Sequence, residues 1–203
     1  MNRGKLVGHN SSKVYNLKWY GPYEWYGRNS IFAHPLGKEV GIYLFTVPFE
    51  GNHLIYYVGE TGRSFTQRFL EHTQAYLSGL YRVYEPTQFM SGKKVLVWGG
   101  MWKTSTRINR MEEFLNRYSE LSPIITQFLQ CMRVFIAPLK EEKKIIERIE
   151  AAVAQQLYGQ TGIVGAFQDN DIRYRPKRND EEPIIIKMSQ TENLLGIRNQ
   201  IMG

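Results

Sequence analysis

Two β-rich runs, Gly41 to Val47 (GIYLFTV) and His53 to Gly59 (HLIYYVG), are joined by Pro48 to Asn52 and followed at once by a change to helical spacing. This succession of strand, turn, strand and helix restricts the fold more than any other feature of the chain. Val, Ile, Phe and Tyr at this density suit a pleated, half-buried surface, and Gly51 offers the positive φ of a longer hairpin loop. On the period of two, Tyr43 shares a face with Phe45 and Val47, and Tyr57 shares one with Ile55 and Gly59. Ser64 and Gln67 then stand at capping-box spacing, with Phe65, Phe69, Tyr76, Leu77 and Leu80 recurring at helical intervals. A helix from Ser64 to Ser78, stopped near Gly79, is expected. At about 100° per residue, Arg68 and His72 lie one turn apart beside its apolar stripe, so both can face one cleft.

The segment from Arg82 to Thr106 carries Pro86, Gly92, Gly99 and Gly100 around KVLVW and reads as loop with one strand. Ile108 to Gln130 reads as helix, broken or kinked near Pro123, and Met132 to Ala137 (MRVFIA) as a buried strand with Cys131 as a small hydrophobe at its start. Lys140 to Tyr158 is the clearest helix: Ile145, Ile146, Ile149, Ala152, Val153 and Leu157 form one face, Glu150 sits at its rim and Glu147 further out. Before the hairpin, Tyr15, Trp19, Tyr20, Tyr23, Trp25 and Tyr26 are interrupted by Gly21, Pro22 and Gly27. This reads as an irregular arm whose rings cover a core or stack on bases. Beyond Thr161 the chain reads as irregular, with Ile184 to Ile186 adding a strand or wrapping the domain.

The expected class is therefore α+β, a small mixed or antiparallel β-sheet flanked by helices. At 203 residues a single domain over 1–203 is expected, with an N-terminal aromatic arm at 1–39, a core at 40–160 that holds an insertion at 82–130, and a C-terminal extension at 161–203. Hydrophobic residues at 42% and charged residues at 22% fit a folded chain rather than a disordered one. No uncharged apolar run approaches the roughly 20 residues of a membrane-spanning helix, and the N-terminal residues contain no apolar stretch of secretory type, so a cytoplasmic protein is expected. One cysteine excludes an internal disulfide and a cysteine-based zinc site.

A net charge of +7 points to a polyanionic partner. Lys93, Lys94, Lys103, Arg107, Arg110, Arg173, Arg175, Lys177 and Arg178 are candidates to track a DNA backbone or read guanine edges, with a solvated surface as the commonplace alternative. Glu60 and Arg63, placed in the turn after the second β-rich run, fit loop capping or phosphate contact. All three aspartates, Asp169, Asp171 and Asp180, fall late in the chain, so a dense acidic cluster of the two-metal kind is not expected.

Taken in order, Gly41-Ile42-Tyr43, then Tyr57-Val58-Gly59, then Arg68 and His72 in QRFLEH, then Glu150 in RIEAAVAQQL resemble the GIY-YIG nuclease family over roughly residues 41 to 80 and 132 to 158. Each residue alone has an ordinary reading: a core tyrosine, a solvated helix edge, a surface carboxylate. The ordered set points to chemistry. The resemblance implies a catalytic site of Tyr43, Tyr57, Arg68, His72 and Glu150, with Glu150 as ligand to one Mg²⁺ or Mn²⁺ per site, completed by water and substrate phosphate. Arg68 would meet the scissile phosphate and Tyr57 would orient water or phosphate. Tyr43, its hydroxyl acidified by a nearby cation, or His72, with an ordinary pKa near 6.5, would accept the proton. Asn170 is the candidate for a further polar group near the metal.

The implied activity is hydrolysis of double-stranded DNA, in its simplest form by a sequence-specific restriction enzyme acting as a two-fold homodimer to cut both strands. The alternatives are a structure-selective repair or mobile-element nuclease, and a nucleic-acid-binding module that kept the fold without catalysis.

Overall fold

The computed structural model describes residues 12–102, 107–169, 172, 174–175 and 181–203. In chain order the elements are β1 (Lys13–Glu24), a short 3-10 turn at Pro35–Lys38, β2 (Gly41–Phe49), β3 (Asn52–Thr61), α1 (Phe65–Leu77), β4 (Val83–Tyr84), α2 (Pro86–Met90) and β5 (Leu96–Trp98). They continue with α3 (Arg107–Asn116), α4 (Tyr118–Cys131), β6 (Arg133–Pro138), α5 (Lys143–Tyr158), α6 (Ile163–Phe167), β7 (Ile184–Gln190) and β8 (Gln200–Met202). The fold is α+β. Six strands form one sheet in the order β3-β2-β6-β1-β7-β8, antiparallel except for the parallel pair β1 and β7, while β4 and β5 form a separate ribbon.

The irregular arm expected at 1–39 is corrected for Lys13–Glu24, which is a strand inside the main sheet. Its Tyr15, Leu17 and Trp19 alternate inward on the period of two, and β7 pairs with it from Lys13↔Ile184 to Trp19↔Gln190. Gly21 and Pro22 fall where the register with β6 shifts, between Tyr20 and Tyr23, so the proline interrupts no regular ladder there. Two further expectations move by a few residues. The break in the 108–130 helical region comes at Arg117, between α3 and α4, and Pro123 lies inside α4; Cys131 ends α4 instead of starting the strand.

The sheet separates two apolar layers. On one face Tyr43, Phe45, Val47, Leu54 and Tyr56 pack with Phe65 and Phe69 of α1, Phe89 of α2, and Ile125 and Phe128 of α4. On the other, Ile42, Leu44, Ile55, Val58 and Phe135 pack with Ile146, Ile149, Val153 and Leu157 of α5. The apolar stripe read for the Lys140–Tyr158 helix is thus the stripe that α5 buries. Because α1 and α5 lie on opposite faces, their functional side chains can meet only at an edge of the sheet, and β3 is that edge. No helix among the described residues is long and apolar enough to cross a membrane.

Candidate active site

The hairpin register places the two tyrosines. Tyr43 stands opposite Gly59 and Phe45 opposite Tyr57, but Thr46 stands opposite Ile55, so Tyr56 is the extra residue of a bulge. The face expected for Tyr57 is corrected accordingly: the bulge puts it with Tyr43 and Phe45, and Ile55 on the α5 side. Gly59 completes the arrangement. A Cβ there would land on the Tyr43 ring and hydroxyl and on the Tyr57 ring, so the two rings occupy the space that glycine leaves. Their centroids are 5.9 Å apart.

α1 supplies the next two groups. Ser64 caps it by accepting from the Gln67 backbone N–H at 3.2 Å, which fixes where the helix starts and which side chains face the hairpin. Arg68 Nε donates to Tyr43 Oη at 3.2 Å, and His72 Nε2 lies 2.7 Å from the same oxygen. Tyr43 is fully buried and His72 is 3% exposed, whereas Tyr57 is half-buried and the Arg68 side chain 26% exposed. The cleft therefore opens on Tyr57 and Arg68, with the Tyr43 and His72 pair behind them.

Burial changes what these groups do. It pushes the His72 pKa down to about 3, with the Arg68 charge acting in the same direction, so the titration near 6.5 expected from the sequence is corrected to a neutral imidazole. Burial also raises the Tyr43 pKa, and outweighs the opposing pull of Arg68; the acidified hydroxyl expected from a nearby cation is not what this environment produces by itself.

Glu150 arrives from the other face. Its carboxyl lies by Glu60 at the edge of β3, and its charge is felt by Tyr43, Tyr57 and Arg68. Burial first, then the adjacent Glu60 carboxylate, push its pKa up to about 8. Glu60 belongs to β3, opposite Ile42 on the α5 side, and not to the turn after it. Its own pKa is raised, chiefly by burial, and its Oε2 is buried with no hydrogen-bond partner. The five residues singled out in the sequence thus converge, and Glu60 joins them. Its signal was available: on the period of two it shares the α5 side with Val58.

Two adjacent carboxyls whose pKa values stay raised despite the nearby Lys143, Arg63 and Arg68 could hold one hard divalent cation, with Glu150 as the main ligand and Glu60 beside it. Among the described residues no group of three or more His, Cys, Asp or Glu side chains is placed to hold a metal. The protein would therefore supply a minority of the ligands, as Mg²⁺ tolerates when water and phosphate complete its shell.

Two tyrosines that the sequence reading passed over stand near Glu150. Tyr158 Oη donates to the Asp169 carbonyl at 2.5 Å and Tyr174 Oη to the Val58 carbonyl at 3.1 Å, tying the segment after α6 to β3. Tyr158 follows Glu150 by about two helical turns and was findable by spacing; nothing local marks Tyr174.

The basic candidates scatter. Arg63 lies at the mouth of the site, paired with Glu71. Lys93 is exposed, while Lys94 donates to the Gln168 carbonyl at 2.8 Å and Arg175 pairs with Glu181. Arg107 donates to the Met101 and Trp102 carbonyls, both at 3.3 Å, and Arg110 stacks on Trp98 with its guanidinium 4.7 Å from the ring. Lys94, Arg110 and Arg175 thus have structural partners that hold part of their hydrogen-bonding capacity. Lys103, Asn170, Arg173, Lys177 and Arg178 lie outside the described residues.

Comparison of the chain with protein-family models, with curated proteins and with solved structures gives no match.

Proposed function

We propose that this chain is a divalent-metal-dependent endonuclease that hydrolyses phosphodiester bonds of double-stranded DNA. The observation that carries the reading is the convergence on one oxygen, Tyr43 Oη, of Arg68 Nε and His72 Nε2, with Tyr57 at the rim and the Glu150 and Glu60 carboxyls across the edge of β3. Phosphodiester hydrolysis needs a proton acceptor, a cation for the phosphoryl oxygens and a ligand for a metal, and these side chains divide those tasks.

The choice of proton acceptor follows from charge. Arg68 favours the phenolate of Tyr43 and disfavours the imidazolium of His72, so Tyr43 is the better acceptor and neutral His72 its hydrogen-bonding partner. Tyr57, half-buried beside Tyr43, would orient water or phosphate at the rim. Arg68 presents its outer guanidinium nitrogens to the phosphate. Glu150, with Glu60, would hold one Mg²⁺ or Mn²⁺, which supplies charge neutralisation at the scissile phosphate. Around this core, the α2–α4 region and the strands at both ends of the chain give enough surface for base readout, which favours a sequence-specific restriction enzyme over a structure-selective nuclease. With one site per chain, a two-fold dimer in the cytoplasm would cut both strands.

Digestion of long mixed-sequence DNA by the purified chain with Mg²⁺, followed by sequencing of the ends, tests the reading. Discrete fragments with a common end sequence are expected. A smear would favour the structure-selective alternative. No cleavage of any DNA with Mg²⁺ or Mn²⁺ would leave only a nucleic-acid-binding module.

A further inference from the structure

Glu71 lies three residues beyond Arg68 on α1, and its two carboxylate oxygens are divided between two arginines. Oε1 meets Arg63 Nη1 at 2.5 Å and Oε2 meets Arg68 Nη1 at 3.2 Å. An ordinary ion pair along a helix accounts for Arg68 with Glu71, but not for Arg63, which reaches in from the loop before the helix. That loop is fixed: the Arg63 backbone N–H donates to Thr61 Oγ1 at 3.0 Å, and Thr61 Oγ1 donates back to the Arg63 carbonyl at 2.9 Å. The side chains of Arg63, Glu71 and Arg68 are 54%, 30% and 26% exposed, so a polyanion can reach all three.

One carboxylate bridging two guanidiniums, one oxygen to each, has the form of a phosphate with its two non-bridging oxygens on two arginines. We propose that Arg63 and Arg68 form a single two-guanidinium phosphate site, and that Glu71 fills it as an internal counter-anion which incoming phosphate displaces. The assignment of that phosphate to DNA rests on the nuclease reading above. The site adjoins the chemistry, because Arg68 holds Tyr43 Oη through Nε while its Nη1 faces Glu71. Exposed ion pairs are weak and screened by salt, so Glu71 can be displaced by a polyanion; while it is in place it keeps Arg68 from weakly binding anions.

The test reads binding without metal, in EDTA, with a short DNA duplex and with inorganic pyrophosphate as probes. Glu71→Gln keeps the shape and removes the charge. It should tighten duplex binding about fivefold at low salt, with the gain shrinking as salt rises. In an Arg63→Ala background the same substitution should give little gain. Unchanged or weaker binding by Glu71→Gln overturns the proposal, and so does a full gain that survives Arg63→Ala, which would mark a general charge effect. Should Glu71→Gln not fold, the wild-type chain decides: on titration with pyrophosphate the Arg63 and Arg68 Nε resonances should shift together, and a shift of Arg68 alone overturns the proposal. Failure of the wild type to cut DNA with Mg²⁺ would remove the nuclease reading but leave these binding results standing.

Discussion

Tyr43 Oη lies 2.7 Å from His72 Nε2, in a place where neither ring has appreciable contact with solvent. His72 Nδ1, also buried, has no partner, so the imidazole is held by this one hydrogen bond and by the rings of Phe45 and Tyr81. A histidine with its pKa pushed down to about 3 resists protonation in the folded state but takes up a proton readily when unfolded. The folded state therefore has the full benefit of this group above pH 6.5, and loses it as the pH falls from 6.5 towards 3. His72→Gln keeps an acceptor for Tyr43 and removes the titration. Between pH 6.5 and 4.5 the wild type should lose roughly 2–3 kcal/mol of stability relative to this variant. Chemical denaturation at the two pH values measures it, and parallel losses in the two proteins would show that His72 is not held neutral.

Gly59 is the hinge of the aromatic arrangement, since Tyr43 and Tyr57 both lie against its Cα. Gly59→Ala must push two rings aside in a layer packed by Phe45 and Phe69. Overpacking of this kind costs about 1–3 kcal/mol. The larger effect should be on activity, because a displacement of Tyr43 Oη breaks its contacts with Arg68 and His72 together. A fall in DNA cleavage of at least a hundredfold is expected in a protein that still unfolds cooperatively; near-wild-type cleavage would mean that the tyrosine positions are immaterial to the chemistry.

The local part of this architecture was legible in the sequence and the long-range part was not. The hairpin, the Ser64 cap, α1 and α5 follow from neighbouring residues, and these elements carry Tyr43, Tyr57, Arg68, His72 and Glu150. β1 escaped because its alternation, Tyr15, Leu17 and Trp19, is followed at once by Gly21 and Pro22, and because its parallel partner β7 lies at the far end of the chain. The bulge at Tyr56 escaped because period-two reading assumes an unbroken ladder, and one extra residue reverses every face beyond it. His72 was placed correctly and its chemistry was not, since spacing gives a position on a helix while the pKa is set by what packs over it.

Glu150 combines a half-buried carboxyl with a carboxyl neighbour, an arrangement that is unfavourable without a cation. Glu150→Gln removes that cost, so in EDTA at neutral pH the variant should be at least as stable as the wild type, by up to about 1–2 kcal/mol. Addition of Mg²⁺ should raise the unfolding temperature of the wild type and leave that of the variant unchanged, and DNA cleavage by the variant should fall at least a hundredfold. Magnesium-dependent nicking retained by Glu150→Ala would remove this carboxylate from the metal site, whatever the stability data show.

Arg148 lies two residues before Glu150 and turns the other way. It is 8% exposed, and its Nη2 donates to the Glu182 carbonyl and, at 2.9 Å, to the Gly203 carbonyl. Through this one guanidinium α5 is tied to the segments beside β7 and β8, which carry Ile184, Ile186 and Ile201 into the same apolar layer as Ile149 and Val153. Arg148→Met preserves much of the stem packing and removes the donor that the Glu182 and Gly203 carbonyls share, at a cost of about 1–3 kcal/mol. The loss should be local before it is global. Amide hydrogen exchange in β7 and β8 should speed up by more than that in β2 and β3, because the hairpin is held by β6 and α1, which Arg148 does not touch. Uniform acceleration across the sheet would show instead that the two ends unfold as one unit, and that the residues flanking Glu150 are only as stable as the strands at the far edge.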